Sequence, residues 1–306
     1  MVSDLLARYN MRPMRISGRF KADKPVISFE FFPPKTDGGF DSLFRTIEEL
    51  QSLEPAFVSV TMGAGGSTRS KTVDLVIRIE RETGLTAMAH LPCVGFERDQ
   101  IGTILEQLDS NGICNVLALR GDAPKDSADF VAPTDGFDYA NDLIDYIQQQ
   151  DRGLCVVAAC YPEVHPEAQS AEADMDNLKR KVDAGAEVLI TQLFFDNEKF
   201  FSFMDRVRAA GIEVPIVPGI MPIVSHTGVR RMTTMCGCVI PEELDKKLAR
   251  IGDDEVATQR LGVNWGTLQC QELLENGVPG IHFYTLNKSS AARNIFENLF
   301  PKEQPK

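Results

Sequence analysis

Eight short apolar runs, each followed by a stretch with helical periodicity, set the narrowest limit on how this chain can fold. The runs are 26–31, 56–61, 86–90, 115–119, 155–160, 187–191, 214–219 and 280–285. Most are near-continuous in Val, Ile, Leu and Phe, as parallel strands covered on both faces require. Between the first three, 40–53 places Leu43, Phe44, Ile47 and Leu50 on one helical face, and 70–82 does so with Val73, Val76, Ile77 and Ile79. Further helical stretches cover 99–111, 139–149, 171–184 and 197–210, the last two stopped by Gly185 and Gly211. Strand–helix units about thirty residues apart read as βα repeats. Eight of them predict a (β/α)8 TIM barrel of the α/β class rather than an open sheet. The seventh connection is long. It predicts a helix after Gly228, another over 242–251 and a long one over 254–276. We therefore expect one barrel domain over 1–306 with a helical insertion before the last strand. Residues 1–24 should form a surface arm with a short amphipathic helix, and 301–306 a fraying tail.

Charge narrows the partners. The 306 residues carry 32 Lys and Arg against 44 Asp and Glu, a formal net charge of −12. An acidic chain is repelled by a nucleic-acid backbone, so no nucleic-acid partner is expected. No apolar run approaches the ~20 residues of a membrane helix, so no membrane partner is expected either. Arg8, Arg12, Arg15 and Arg19 precede no apolar segment, which excludes a secretory signal; a weak transit peptide is the alternative to the surface arm. The 7 cysteines are scattered, form no C-x-x-C and have only 4 histidines beside them, so no metal site is expected. Reduced thiols in apolar runs suit a reducing, cytoplasmic compartment.

A barrel of this kind does its chemistry where the strands end. The strand ends supply Glu30, Thr61, His90, Arg120, Gly121, Asp122, Tyr161, Gln192, Pro218, Gly219, Tyr284 and Asn287, with His165 in the loop after Tyr161. Glu30 lies between Phe29 and Phe31. Burial among aromatics should raise its pKa and suit it to general acid work; the alternative is a carboxylate paired with Arg or Lys across the barrel. Asp122 offers either a fixed charge beside a ligand or a loop ion pair with Arg120. Asp174, Asn177 and Lys181 share a helix face, with Arg180 adjacent: a cofactor platform or a solvated face. The 63–68 loop, Gly-Ala-Gly-Gly-Ser-Thr, matches neither G-x-G-x-x-G nor a Walker loop and reads as a tight βα turn. No Lys ends a strand, which disfavours a Schiff-base aldolase.

Six motifs stand together in order: Ser28-Phe-Glu-Phe-Phe-Pro-Pro-Lys35, Val58-Ser-Val-Thr61, Ala118-Leu-Arg-Gly-Asp122, Tyr161-Pro-Glu-Val-His-Pro-Glu-Ala168, Ile190-Thr-Gln-Leu-Phe-Phe195 and His282-Phe-Tyr-Thr-Leu-Asn287. From Pro25 to Leu299 the chain resembles the catalytic domain of the methylenetetrahydrofolate reductase family. The resemblance implies a barrel that binds FAD, is reduced by NADH or NADPH, and then reduces methylenetetrahydrofolate to 5-methyltetrahydrofolate in a ping-pong cycle. It implies a role in one-carbon metabolism and methionine biosynthesis, and a homo-oligomer. Glu30 then matches the acid that protonates the folate, and Asp122 the carboxylate near flavin and pterin. Gln192 matches a contact to folate and nicotinamide, and Thr61 a nicotinamide contact. The FAD residues implied are Ala64, His90, Arg120, Gly121, Asp122, Tyr139, Ala140, Tyr161, His165, Asp174, Asn177, Arg180 and Lys181. There are departures. Met62 replaces an aromatic residue beside the flavin. Lys288 replaces an Arg near the folate glutamate and loses the bidentate fork. Gly228 and Met232 fall in a variable stretch. The S-adenosylmethionine-binding regulatory domain of eukaryotic relatives is not expected after Lys306, nor is its feedback. A barrel hydrolase using Glu30 and Asp122 as paired carboxylates is the competing reading; a ligand-binding barrel without turnover is a third.

Overall fold

Each strand is short and buried almost throughout, because helices cover it outside and other strands face it inside. The computed structural model describes residues 14–21, 24–63, 68–122 and 133–301. The strands are β1 (Val26–Phe31), β2 (Phe57–Val60), β3 (Ala87–Pro92), β4 (Asn115–Leu119), β5 (Cys155–Cys160), β6 (Val188–Thr191), β7 (Ile216–Val217), β8 (Gly219–Ile220) and β9 (Gly280–Tyr284). All pairings are parallel, in the order β7-β6-β5-β4-β3-β2-β1-β9-β8. β7 and β8 are halves of the single run predicted at 214–219. Pro218 between them has no N–H to donate, which breaks the strand. One half pairs with β6 and the other with β9, so this broken strand joins the two ends of the sheet. The predicted (β/α)8 barrel is the fold observed.

The helices are α1 (Asp37–Gln51), α2 (Arg69–Thr83), α3 (Arg98–Ser110), α4 (Ala140–Gln149), α5 (Ala171–Asp183), α6 (Asn197–Ala209), α7 (His226–Cys236), α8 (Glu242–Ile251), α9 (Glu255–Glu275) and α10 (Ser290–Leu299). Their apolar faces, with Ile47, Leu50, Val76, Ile79, Ile104 and Ile144, pack on Phe29, Phe31, Val58 and Val116 of the strands. Each such side chain, fully buried, stabilises the fold by roughly 1.5–3 kcal/mol. The helix expected after Gly228 starts earlier, at His226, because Ser225 caps it: its Oγ accepts the Gly228 N–H at 3.2 Å.

Strand alternation builds the site. Ile27, Phe29 and Phe31 of β1 join the cluster between strands and helices, while Val26, Ser28 and Glu30 face the barrel interior. The lower interior is apolar, filled by Val26, Phe57, Met88, Cys155, Val157, Val188 and Val217. Going up β1, the inward positions turn from Val26 to Ser28 to Glu30.

The N-terminal segment corrects an expectation. The short helix expected within the arm is a 3-10 helix, Ile16–Lys21, and it reaches the interior rather than staying on the surface. Ile16 is fully buried in the lower interior cluster. Its N–H donates to Asn115 Oδ1 at 2.8 Å, and Asn115 Nδ2 donates to the Met14 carbonyl at 3.0 Å. The segment plugs a barrel end that would otherwise leave Phe57 and Val157 against water. Residues 1–13, 22–23 and 302–306 lie outside the described residues.

Candidate active site

The inward positions of β1 and β9 converge on one imidazole. The register pairs Ser28 with His282 and Glu30 with Tyr284. His282 is fully buried: Nδ1 is hydrogen-bonded to Ser28 Oγ at 2.8 Å, and Nε2 lies 3.6 Å from Glu30 Oε2. Phe57 stacks on the ring at 5.9 Å and Tyr284 meets it edge-on at 5.4 Å. His90, from the end of β3, brings its Nε2 to 3.3 Å from the same Glu30 oxygen. His90 Nε2 has no aligned hydrogen-bond partner there.

The Glu30 pKa therefore moves opposite to the expectation. Burial pushes the carboxyl up, but His90 and His282 outweigh it and hold it at about 2. Its partners are two histidines, not the Arg or Lys of the alternative reading. The backbone around Glu30 is also fastened. Thr285 Oγ1 donates to the Glu30 carbonyl at 2.6 Å. Asn287 Nδ2 donates to the Phe32 carbonyl at 2.9 Å while its Oδ1 accepts the Phe32 N–H at 2.8 Å. Asn287 does this from a left-handed backbone, φ 58°, which Asn tolerates better than most residues.

A second group lines the ends of β4 and β5. Arg120 pairs with Glu167 at 2.6 Å, so the loop pair with Asp122 weighed from the sequence is replaced by one to the next loop. Asp122 is exposed. Gly121 has φ 82°, and a Cβ there would lie 2.6 Å from Pro92 Cβ, so only glycine fits without strain. Tyr161 meets His165 edge-on at 4.6 Å. The His165 N–H donates to Asp174 Oδ2 at 3.0 Å. Lys181 Nζ donates to the Ala159 carbonyl at 2.8 Å, and burial lowers its pKa. Arg180 bonds Asn177 Oδ1 at 3.0 Å, and both are exposed. The polar helix face thus splits: Asp174 and Lys181 turn toward the barrel, Asn177 and Arg180 toward solvent.

The family model for methylenetetrahydrofolate reductase matches residues 15–300. The chain belongs to the methylenetetrahydrofolate reductase family. It is 40% identical over 273 residues to 5,10-methylenetetrahydrofolate reductase of Escherichia coli, covering 89% of this chain and 90% of that one. It is also 40% identical over 284 residues to methylenetetrahydrofolate reductase (NADH) 1 of Arabidopsis thaliana. That match covers 90% of this chain but 48% of the plant protein, so the chain spans about half the length of its plant relatives. A solved structure from Clostridium thermocellum, described as binding two copies of 5-methyl-5,6,7,8-tetrahydrofolic acid, superposes with a TM-score of 0.63 at 14% identity. It covers 94% of this chain and 98% of that one, and shows the shared barrel alone.

Other positions that the reductase family resemblance implied are dispersed. Thr61 is half-buried and its carbonyl accepts the Thr72 hydroxyl at 2.9 Å. Met62 is half-buried against the helix-side core. Gln192 folds onto its own backbone, its Oε1 accepting the Leu193 N–H at 2.9 Å. Tyr139 is exposed at the start of α4, where Ala140 is buried. Lys288 is exposed after β9. Ala64 lies outside the described residues. Sequence reading named no role for Ser28 or His282. The signal was available: both are polar residues in strands, two positions before a strand-end candidate and so on its face. Among the described residues no three His, Cys, Asp or Glu are placed to hold a metal ion, and no helix is long and apolar enough to cross a membrane.

Proposed function

We propose that this protein reduces 5,10-methylenetetrahydrofolate to 5-methyltetrahydrofolate at the upper barrel mouth, with FAD as cofactor and NADH or NADPH as donor in a ping-pong cycle. The observation that carries the reading is the buried Ser28–His282–Glu30 chain in a member of this family. The residues present fit a flavin dinucleotide. His90 Nε2 is buried without an aligned partner, and Lys181 keeps an amine on the barrel side of α5, a partner for phosphate charge. Arg120, His165, Asp174, Asn177 and Arg180 would complete its hold. When bound, a flavin supplies the hydride acceptor and donor that the protein's own side chains lack.

The side chains handle the proton. Glu30, His90 and His282 form one buried cluster, with both imidazoles on the same carboxylate oxygen. His90 and His282 hold Glu30 ionised in the resting site, so the carboxyl must take up a proton before it can deliver one to the folate. Delivery by Glu30 favours ring opening to the iminium. Asp122, exposed at the rim, places negative charge where that cation develops. Gln192, Thr61 and Lys288 are the proposed substrate contacts. The plant relative is named for NADH, which supports NADH as the donor here. A reducing, cytoplasmic setting and a homo-oligomer belong to the same reading; all 7 cysteines are free thiols and five are buried.

The competing hydrolase reading of Glu30 and Asp122 finds no support in the matched family and its relatives, which are named reductases.

The test is a visible spectrum of the purified protein, with FAD added back if needed. Anaerobic NADH should bleach it, and methylenetetrahydrofolate should restore the colour. A protein that stays colourless with added FAD, or that never recovers its colour, overturns the reading. Lys181→Met should weaken FAD binding about ten-fold, the worth of one hydrogen bond to a charged group. A fluorescence titration giving the wild-type affinity would remove Lys181 from the site.

A further inference from the structure

The loop between β5 and α5 meets the end of α7 in a contact that the barrel itself does not require. In that loop Val164 has φ 75°, a conformation β-branched residues rarely adopt. Strain of this kind persists only where the surroundings over-determine it. Two contacts flank it. Before it, both carboxylate oxygens of half-buried Glu163 face the Val239 N–H, at 3.1 and 3.3 Å. After it, Pro166 lies against Gly237, where a Cβ would come within 2.6 Å of Pro166 Cγ. Gly237 has φ 68° and ends α7 by donating its N–H to the Thr233 carbonyl, which turns Val239 toward Glu163.

The two partners serve different sides of the mouth. The loop holds Tyr161 and His165, and the His165 N–H reaches Asp174 on α5. α7 belongs to the insertion, whose own apolar cluster joins Val229, Leu244 and Leu248 to Leu193 and Ile223. Met232, Cys236 and Tyr284 pack on that cluster. Leu193 follows Gln192, and Tyr284 lies beside Glu30 in register. A displaced α7 would therefore disturb the residues assigned to folate.

We infer that Glu163 is a positioning residue that locks the cofactor loop to the insertion helix α7, so that the flavin side and the folate side of the mouth are set together. The inference rests on the cofactor and substrate reading above. Without the lock, the loop relaxes at Val164 and carries His165 away from Asp174.

Three readouts test it in full-length protein: hydrogen exchange at the Val239 amide, FAD affinity, and the folate KM set against the rate of flavin reduction by NADH. In Glu163→Ala the amide should lose protection. FAD affinity should fall and folate KM rise, each about ten-fold, as expected for a lost hydrogen bond to a charged group. Flavin reduction at saturating FAD should stay within about two-fold, because a lost binding contact need not touch the chemical step. Glu163→Gln keeps an acceptor oxygen and should behave as wild type. An unprotected Val239 amide in the wild-type protein, wild-type values in Glu163→Ala, or equal damage in Glu163→Gln would each overturn the lock. If the wild-type protein takes up no FAD, the cofactor reading fails, while exchange at Val239 still decides the lock.

Discussion

Glu30→Gln protein is expected to be reduced by NADH at the wild-type rate and to reduce methylenetetrahydrofolate at least about 100-fold more slowly, the lower range for loss of a positioned general acid. The substitution keeps the side-chain volume and a polar end facing His282 and His90, so the barrel should fold unchanged. What it removes is the carboxyl proposed to deliver the proton to the substrate. Stopped-flow absorbance separates the half-reactions, since the first bleaches the protein and the second restores its colour. Equal loss in both would mean that Glu30 shapes the site rather than feeding it a proton. No loss in the second would remove it from the mechanism.

Gly262→Ala is expected to be the most damaging Gly→Ala substitution among the described residues. Gly262 is buried in α9, and a Cβ there would lie 1.9 Å from the Ile223 carbonyl oxygen and 2.7 Å from its carbon. Both are backbone atoms and cannot swing aside. Either α9 lifts away or the β8–α7 connection moves, and both carry the insertion. Trp265 Nε1 to the Phe195 carbonyl at 3.2 Å and Gln269 Nε2 to the Phe194 carbonyl at 2.9 Å resist the first movement. The cost should be at least about 3 kcal/mol, the upper range for overpacking. That corresponds to a fall in Tm of about 5 °C for a chain of this size. Calorimetry on the purified variant would check it. A Tm within about 1 °C of wild type, less than ~1 kcal/mol here, would show that the packing around Ile223 yields.

How far these residues could be found without coordinates differs between them. Glu30 was legible because a carboxylate inside an aromatic strand motif is costly and therefore informative. Gly121 was legible as a glycine that something approaches closely, but its close neighbour is Pro92 rather than a ligand. His282 was passed over although it belongs to a quoted motif, because its partners Ser28 and Glu30 lie about 250 positions away in the chain. Glu163 offered no signal, since the group it holds is a backbone N–H on another helix. The interior role of Ile16 was hidden as well: six residues in a 3-10 helix have too little periodicity to show a buried face.

The sequence by itself determined the alternation of buried strands and amphipathic helices, the long insertion before β9, and the motifs that mark the family. These depend on side-chain period and local composition, which any window of the chain carries. Only the tertiary structure decided the charge state of Glu30, the loss of Arg120 to Glu167, the break at Pro218 that lets one strand pair both ways, and the plug at Ile16. Each of these is a balance between groups far apart in the chain. Burial alone would have raised the Glu30 carboxyl; two imidazoles delivered by β3 and β9 reversed the sign.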